Sequence, residues 1–292
     1  MNRSDPFALA RTAVRNTFDR AGASYEAAAL LQSNVATELL SRLEPFDFAP
    51  AVVLDLGAGT GRCSLQLKRR YRRAQVLALD LAPGMLQAAA RHQRWLRRFE
   101  RICADAAALP LRSANVDVIF SNLMVQWCDP PDEVFAEARR VLKPQGFLAF
   151  STFGPDTLCE LREAWGEDGH THVNRFLDVH DIGDALMRAG FTEPVLDVER
   201  MSVTYPDVLG LMRDLQAIGA RNVTAGRART LTGKGRLRRM RERYEAHRRG
   251  GTLPATYEVI YAVAWNGRTG GGSPGGGEVF IAPDQIHHRR RP

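Results

Sequence analysis

Residues 52–61, with the sequence VVLDLGAGTG, decide the fold of this 292-residue chain. The apolar, β-branched start of this stretch is typical of a buried parallel strand. Three glycines at alternate positions follow, and glycine lets a backbone turn tightly and approach a ligand closely. Because residues 62–70 have the pattern of a helix, the stretch predicts a strand, a glycine loop and a helix in succession. Such a unit forms a nucleotide-type site at the carboxyl end of its strand.

The spacing of the glycines narrows the choice of ligand. The dinucleotide fingerprint G-x-G-x-x-G holds a pyrophosphate at a helix N-terminus, whereas this chain has D-x-G-x-G-x-G. Asp55 stands two residues before Gly57, and its carboxylate repels phosphate but suits an ammonium group or a ribose hydroxyl. S-adenosylmethionine has both of these groups and no phosphate, so we expect Asp55, Gly57, Gly59 and Gly61 to bind it. A tight turn without a ligand is the alternative.

Alternating strand and helix patterns continue along the chain and predict an α/β fold, with a parallel sheet covered by helices on both faces. The predicted strands are residues 51–56, 75–80, 100–103, 116–121, 146–152, 195–205 and 257–265. The predicted helices are residues 62–70, 83–92, 131–141 and 179–190, preceded by two helices within residues 7–43.

The same patterns divide the chain into regions. Residues 1–45 are expected to form an N-terminal helical cap, and residues 46–266 the main domain. Two insertions, 154–178 and 206–250, interrupt that domain and are expected to cover the ligand edge of the sheet. Residues 267–292 are a glycine-rich linker and basic tail, which we expect to be flexible.

Polar residues follow the next three strands. Asp80 lies 19 residues beyond the last glycine of the loop, at the position where a carboxylate accepts hydrogen bonds from ribose hydroxyls; capping the next helix is the alternative. Asp105 can accept a hydrogen bond from an adenine amino group, and Ala106 can offer its backbone N–H to the ring. Asn122 ends the fourth strand and faces the same crevice. Met85 is expected beside the adenine or in the core.

Charge is concentrated in one segment. The formal net charge is +7, but residues 221–249 contain 11 Lys and Arg and 2 Glu, so this segment contributes +9 and the remainder −2. A basic surface implies an acidic partner and faster electrostatic encounter. Nucleic acid and an acidic carrier protein are both candidates, and a solvated helix face is the alternative.

Several classes of protein are disfavoured by composition. No run of 18 apolar residues occurs, so we expect neither a transmembrane helix nor a membrane partner. The first residues lack the apolar core of a secretory signal. The four cysteines are scattered without C-x-x-C spacing, which favours a reducing, cytoplasmic location and disfavours a metal site.

Residues 46–265 resemble the class I S-adenosylmethionine-dependent methyltransferases. Residues 121–128 (SNLMVQWC) and 172–177 (HVNRFL) more closely resemble motifs of the malonyl-acyl carrier protein O-methyltransferases of biotin synthesis, and segments within 212–227 and 253–257 are similar to that family as well. The resemblance implies a Rossmann-like, seven-stranded, mostly parallel sheet under helical caps. It also implies methyl transfer from S-adenosylmethionine to the free carboxylate of a malonyl thioester on acyl carrier protein, giving the methyl ester and S-adenosylhomocysteine.

That reaction has simple chemical needs. A carboxyl group is ionised at neutral pH, so it needs neither a general base nor a metal, only alignment with the methyl group. A forked arginine suits a carboxylate, and the candidates are Arg175 and Arg213, one from each insertion; surface ion pairs are the alternative role. Tyr25 is expected to close over the methyl group, and Trp127 and Phe176 to exclude water.

The resemblance also implies a partner, an acidic acyl carrier protein bearing malonyl-phosphopantetheine. We expect it to dock on residues 221–249, which we call the Arg-rich segment. The candidates for this contact are Arg227, Arg229, Lys234, Arg236, Arg238 and Arg239.

Three other functions remain open. Residues 153–162 also resemble a mitochondrial complex I assembly factor, a relative thought to hydroxylate arginine. That relative lacks the Val-Gln-Trp-Cys motif found at residues 125–128 of this chain. An RNA methyltransferase would fit the basic charge, but the N/D-P-P-Y/F motif is absent, so no nucleic-acid partner is expected. A non-catalytic module that retains the cofactor site is the third.

Overall fold

The computed structural model of the protein describes residues 7–22, 25, 29–46, 48–93, 98–166, 170–220, 222–226 and 233–267. The strands are β1 (Val52–Leu56), β2 (Gln75–Asp80), β3 (Glu100–Cys103), β4 (Val116–Asn122), β5 (Leu142–Phe153), β6 (Thr192–Tyr205) and β7 (Leu253–Trp265). The helices are α1 (Arg11–Ala21), α2 (Leu30–Ser41), α3 (Arg62–Arg70), α4 (Pro83–His92), α5 (Asp132–Val141), α6 (Cys159–Trp165), α7 (Val179–Arg188), α8 (Val208–Ala217) and α9 (Lys234–Glu245).

The strands form one seven-stranded sheet in the order β3-β2-β1-β4-β5-β7-β6. β7 runs antiparallel to both of its neighbours, and the pairs from β3 to β5 are parallel. The strand order reverses between β1 and β4, which is where α/β sheets bind ligands. The predicted Rossmann-like α/β fold is therefore confirmed.

Alternating side chains of the strands build two cores, one on each face of the sheet. Leu54 and Leu56 of β1 pack with Phe135 and Phe150 on one face, whereas Val53 packs on the other face among residues of α2 and α3. Each fully buried Leu or Phe side chain contributes about 1.5–3 kcal/mol to stability. The two layers hold β1 rigidly, and this strand carries the glycine loop.

A third cluster joins the insertions to the far end of the sheet. Leu161 of α6 packs with Met240 and Tyr244 of α9 and with Tyr257 of β7. The Tyr244 hydroxyl donates a hydrogen bond to the Pro254 carbonyl at 2.8 Å. α9 is thereby fixed along the outer side of α6.

The proposed division of the chain at residues 45, 154–178, 206–250 and 267 stays a prediction, and residues 268–292 lie outside the described part. Among the helices that the structure describes, none combines the length and apolar character that a membrane crossing requires.

Candidate active site

A cavity of about 880 Å³, partly open to solvent, lies at the carboxyl ends of β1 to β4. We call it the strand-tip cavity. It brings together nine of the residues selected from the sequence. These are Tyr25, Gly57, Gly59, Asp80, Met85, Asp105, Ala106, Asn122 and Trp127.

The glycine loop folds over the tip of β2. The N–H groups of Gly57 and Ala58 donate to the Leu79 carbonyl at 2.8 and 2.9 Å. Gly59 has a φ of 53°, and a Cβ added there would meet nothing within 4 Å, so its backbone faces open space. Gly61 differs, because it does not line this cavity and a Cβ there would lie 2.8 Å from the Phe99 ring. Glycine is required at position 61 both because Phe99 and Ala89 leave no room for a Cβ and because the backbone is left-handed there, with a φ of 76°.

Asp80 uses both carboxylate oxygens to hold this loop and the next one. Its Oδ2 accepts the Gly59 N–H and its Oδ1 accepts the Ala82 N–H, each at 2.8 Å. The N-cap of α4 is Ala82, so Asp80 is not the capping residue. Burial raises the pKa of Asp80 above its ordinary value, and the backbone N–H groups oppose that shift. Because each carboxylate oxygen can accept a second hydrogen bond, Asp80 can also bind hydroxyls from within the cavity.

Asp55 lies beneath the glycine loop, outside the lining of the strand-tip cavity. Its side chain is 1 % exposed, and its Oδ2 accepts a hydrogen bond from the Ser64 hydroxyl at 2.5 Å. Burial, with a smaller contribution from the nearby charge of Asp80, raises the pKa of Asp55 to about 7. The expectation of direct contact with the ligand does not fit this position, because the Asp55 carboxylate is buried and is already bound by the Ser64 hydroxyl.

Asp105 carries an interaction that sequence reasoning missed. Its Oδ1 accepts the Ala107 N–H at 2.9 Å, and its Oδ2 accepts from the Arg11 guanidinium at 3.3 Å. Arg11 also pairs with Glu133 of α5. Arg11 therefore ties α1 to the tips of β3 and α5 across the mouth of the cavity.

Asn122 and Met85 complete the walls. The Asn122 amide donates to the Gln32 carbonyl at 3.1 Å and accepts from the Ser151 hydroxyl at 2.9 Å. Met85 is almost fully buried and packs with Ala21 and Ala82, so it belongs to a small core as well as to the cavity wall.

A second cavity of about 710 Å³, the cap cavity, lies under the insertions. It shares four residues with the strand-tip cavity, namely Phe18, Tyr25, Leu123 and Trp127. Phe18 and Trp127 stack edge to face at 5.1 Å between ring centroids, and burial raises the pKa of the Tyr25 phenol. A third, the loop cavity, adjoins the glycine loop and also includes Tyr25. Tyr25 therefore lies where the three cavities meet.

Of the two candidate arginines, only Arg175 lines a described cavity. It lines the side cavity, of about 510 Å³, which shares Gln126 and Phe176 with the cap cavity. Arg213 is exposed on α8, where its Nε donates to the Leu209 carbonyl one turn earlier at 3.2 Å. Arg213 does not line any of the strand-tip, cap, loop and side cavities.

Sequence reasoning also missed other residues of the site. Arg11, Val14 and Phe18 all line the strand-tip cavity, and their spacing along α1 is the signal that could have found them. Asn174 lines the cap cavity. It lies in the motif 172–177, in which only Arg175 and Phe176 were assigned roles from the sequence. No group of three or more potential metal ligands occurs among the residues that the structure describes.

Comparisons with known proteins identify the family. A family described as "Methyltransferase domain" matches residues 54–150. The malonyl-acyl carrier protein O-methyltransferase of Methylovorus sp. (strain MP688) is 52% identical over 269 residues, which cover 90% of this chain and 91% of the relative. The enzyme of the same name from Halorhodospira halophila is 46% identical over 295 residues, which cover 100% of both chains.

Solved structures agree on the fold. The phosphoethanolamine N-methyltransferase 2 of Haemonchus contortus, in complex with S-adenosyl-L-methionine, superposes with a TM-score of 0.54 at 18% identity, covering 87% of this chain and 60% of that chain. At this identity the likeness concerns the fold alone. The sequence relatives extend over most of the chain, and the chain therefore belongs to the malonyl-acyl carrier protein O-methyltransferases and is an S-adenosylmethionine-dependent carboxyl O-methyltransferase.

Proposed function

We propose that the protein methylates the free carboxylate of a malonyl thioester on acyl carrier protein, an early step of biotin synthesis that yields the methyl ester and S-adenosylhomocysteine. The observation that carries this proposal is the wall shared by the strand-tip and cap cavities. A methyl donor in the first cavity and an acceptor in the second meet at Tyr25 and Trp127. The names of relatives that align over 90–100% of the chain suggest the identity of the acceptor.

The electrostatics of the strand-tip cavity support a cationic cofactor. Asp55 is buried and Asp80 is half-buried; burial is the main reason that the pKa of Asp55 is raised, and the nearby charge of Asp80 adds to the shift. A positive group beside them relieves this repulsion and favours their ionised forms. S-adenosylmethionine brings an ammonium and a sulfonium. In our assignment Asp80 accepts from its ribose hydroxyls, Asp105 and Ala106 bind the adenine, Met85 packs against the ring, and Gly57, Gly59 and Asn122 surround the methionine part.

The transfer itself needs alignment rather than acid–base catalysis. One carboxylate oxygen attacks the methyl carbon as the bond from that carbon to sulfur breaks, and the electron pair returns to sulfur. A negative carboxylate and a positive sulfonium are both neutralised, so a cavity with little water favours the transition state. Trp127 and Phe176 supply apolar walls, and the Tyr25 ring lies at the junction of the cavities.

Arg175 is the proposed partner of the second carboxylate oxygen. It approaches the cap cavity from the side cavity, at the wall formed by Gln126 and Phe176. Both arginines are exposed, but Arg213 on α8 lines none of the four cavities described above, so it is not assigned to the acceptor site. This contrast provides a matched pair of variants.

Arg175→Ala is expected to lower kcat/KM for the malonyl thioester by about 10- to 100-fold, because a hydrogen bond to a charged group is lost. Its affinity for S-adenosylmethionine should not change. Arg213→Ala is the control and should remain within about threefold of the wild type, as surface substitutions usually do. Steady-state kinetics with a methyl-transfer assay measures both. Equal losses in the two variants, or wild-type turnover in Arg175→Ala, would show that the acceptor site is misplaced.

The carrier protein is proposed to dock on segment 221–249, of which residues 221 and 227–232, including Arg227 and Arg229, lie outside the described residues. The described part contains α9, with Arg238, Arg239 and Arg241 exposed on its surface. α9 packs on α6, and Leu161 of α6 lines the cap cavity. A carrier bound to α9 is therefore one helix away from the cavity that its pantetheine arm must enter.

A further inference from the structure

Most polar side chains of the cap cavity are already hydrogen-bonded within the protein. The Gln126 amide donates to the Leu123 carbonyl at 2.7 Å and accepts from the Thr152 hydroxyl at 3.3 Å. The Asn222 oxygen accepts from the N–H and the hydroxyl of Thr224 at 2.9 and 2.6 Å. These groups hold the walls of the cavity and have little capacity left for a ligand.

Asn174 is different. It lines the same cavity and is 7 % exposed, yet its Oδ1 finds no hydrogen-bond donor among the residues that the structure describes. A buried amide oxygen left without a donor is costly and rare in native proteins. A ligand that brings an N–H or O–H group would satisfy it. Gln32, which also lines the cap cavity, has a buried side-chain oxygen without a donor as well. Because Gln32 also borders the loop cavity beside the glycines, its oxygen is equally close to the proposed cofactor site.

The chemistry of the substrate limits what Asn174 can bind. The malonyl group presents an ionised carboxylate and a thioester carbonyl, and both of these only accept hydrogen bonds. An acceptor oxygen cannot pair with them. The first donor along the acyl-bearing arm is the amide N–H of pantetheine, two methylene groups beyond the thioester sulfur. The unpartnered Oδ1 therefore matches the arm rather than the acyl group.

We propose that Asn174 Oδ1 accepts a hydrogen bond from the pantetheine amide N–H and so fixes the depth to which the thioester enters. This inference rests on the proposed function. Asn174 and Arg175 are neighbours in the chain that line two adjoining cavities. Together they grip the substrate on both sides of the thioester, the amide at Asn174 and the carboxylate at Arg175. Asn174 is then a determinant of specificity for pantetheine thioesters over simple alkyl thioesters.

Two small substrates that differ by a single group test this. One is the malonyl thioester of N-acetylcysteamine, which has the amide N–H, and the other is the malonyl thioester of 2-acetoxyethanethiol, in which an ester oxygen replaces it. The wild type should prefer the amide by about 10- to 100-fold in kcat/KM, because the ester leaves the buried oxygen unpaired. Asn174→Leu, which has nearly the same size, should reduce that preference to about twofold or less, since no acceptor remains for the N–H.

Two further variants test whether the effect of Asn174→Leu comes from the lost acceptor oxygen rather than from misfolding or from any Asn-to-Leu change. Asn174→Asp keeps an acceptor oxygen in the same place and should retain a preference for the amide. Asn115→Leu, the same change at an exposed position away from the cavities, should discriminate as the wild type does. Unchanged S-adenosylmethionine affinity verifies the fold of each variant.

The two possible failures are distinguishable. A wild type that methylates both thioesters equally, or an Asn174→Leu variant that keeps the full preference, overturns the role of Asn174 while leaving the proposed function intact. A wild type that methylates neither these thioesters nor the malonyl carrier protein overturns the proposed function itself.

Discussion

At the scale of single residues, a buried carboxylate, Asp55, and a half-buried one, Asp80, give the strand-tip cavity its electrical character. Asp80 holds the glycine loop from inside the cavity, and Asp55 lies below that loop with its pKa raised to about 7. A cation bound above Asp55 favours its ionised form and so lowers that pKa. Cofactor binding and the release of this proton are therefore linked.

This linkage predicts a pH-dependent affinity. The affinity for S-adenosylmethionine should rise about tenfold as pH rises from about 5.5 to 7.5. The reason is that a larger fraction of Asp55 is already ionised before the cofactor binds. Asp55→Asn should bind more weakly at the upper pH and show little dependence on pH. Isothermal titration calorimetry at several pH values measures both. An Asp55→Asn protein with the same slope as the wild type would exclude Asp55 as the titrating group.

The stability of the ligand-free protein should depend on pH in the opposite sense. The pKa of Asp55 is higher in the folded chain, about 7, than its ordinary value of 3.8. The folded state therefore holds this proton more tightly, and the stability it contributes is present below about pH 4 and is lost as pH rises through about 7. Urea unfolding of the wild type and Asp55→Asn at pH about 5 and about 7.5 should show the wild type losing stability relative to the variant.

Some of these residues were predictable from the sequence, and others were not. Asp80 and Asp105 follow directly after parallel strands, and the carboxyl ends of such strands meet at one edge of a sheet. The motif fixes the chain position of Asp55 but not the side of the loop on which its carboxylate lies. The contact between Arg11 and Asp105 joins residues 94 positions apart, and no local pattern encodes such a pair.

At the scale of elements, α1 covers the strand-tip cavity. Arg11 at its start binds Asp105 and Glu133, and near its end Asp19 Oδ1 accepts the Gly84 N–H at 2.6 Å. Gly84 opens α4 at a point of close approach, since a Cβ there would lie 2.5 Å from the Asp19 carbonyl oxygen. The absence of a side chain at position 84 therefore lets α1 lie against α4.

Gly84→Ala should push α1 away from the cavity and weaken S-adenosylmethionine binding by about tenfold, the size of effect expected from overpacking. The control is Gly183→Ala in α7, where a Cβ would have its nearest contact at 3.9 Å. That variant should bind the cofactor normally and gain about 0.5–1 kcal/mol of stability, because alanine favours a helix. Calorimetry and thermal unfolding test the pair. Normal cofactor affinity in Gly84→Ala would show that α1 is not a cover.

The main elements could be predicted because buried strands and amphipathic helices alternate clearly along residues 51–153 and 179–205. The insertions were harder. Residues 154–178 look polar and irregular, yet they contain α6, a helix of 7 residues that is too short for its periodicity to show. β7 begins at Leu253 rather than at the expected 257, because its first residues pair with the long end of β6 at Thr204 and Tyr205.

At the scale of the whole molecule, the most basic surface lies on α9, outside the cavity proposed for the acceptor. The cap cavity is lined mostly by apolar and amide side chains, whereas the outer surface of α9 is strongly basic. Arg239 and Arg241 are exposed and form no ion pair with the carboxylates of the described residues. Such exposed charges act on the encounter with an acidic partner, and their effect is reduced by salt.

The double variant Arg239→Glu/Arg241→Glu should raise KM for the malonyl carrier protein about tenfold or more at low salt, because attraction becomes repulsion. Its kinetics with malonyl-N-acetylcysteamine, which has no carrier, should not change. Arg72→Glu/Arg73→Glu, an equal change of charge at exposed positions after α3, is the control and should affect KM little. Equal effects of the two double variants would mean that net charge matters and that α9 is not the docking surface.

Methyl transfer to the malonyl carboxylate is tested most directly by one measurement. The protein is incubated with methyl-labelled S-adenosylmethionine and either malonyl or acetyl carrier protein, and the intact mass of the carrier is determined. We predict that the malonyl carrier gains one labelled methyl group, which mild alkali removes as methanol, and that the acetyl carrier gains none. An unmodified malonyl carrier in the presence of an enzyme that binds the cofactor, or equal labelling of both carriers, would contradict the account.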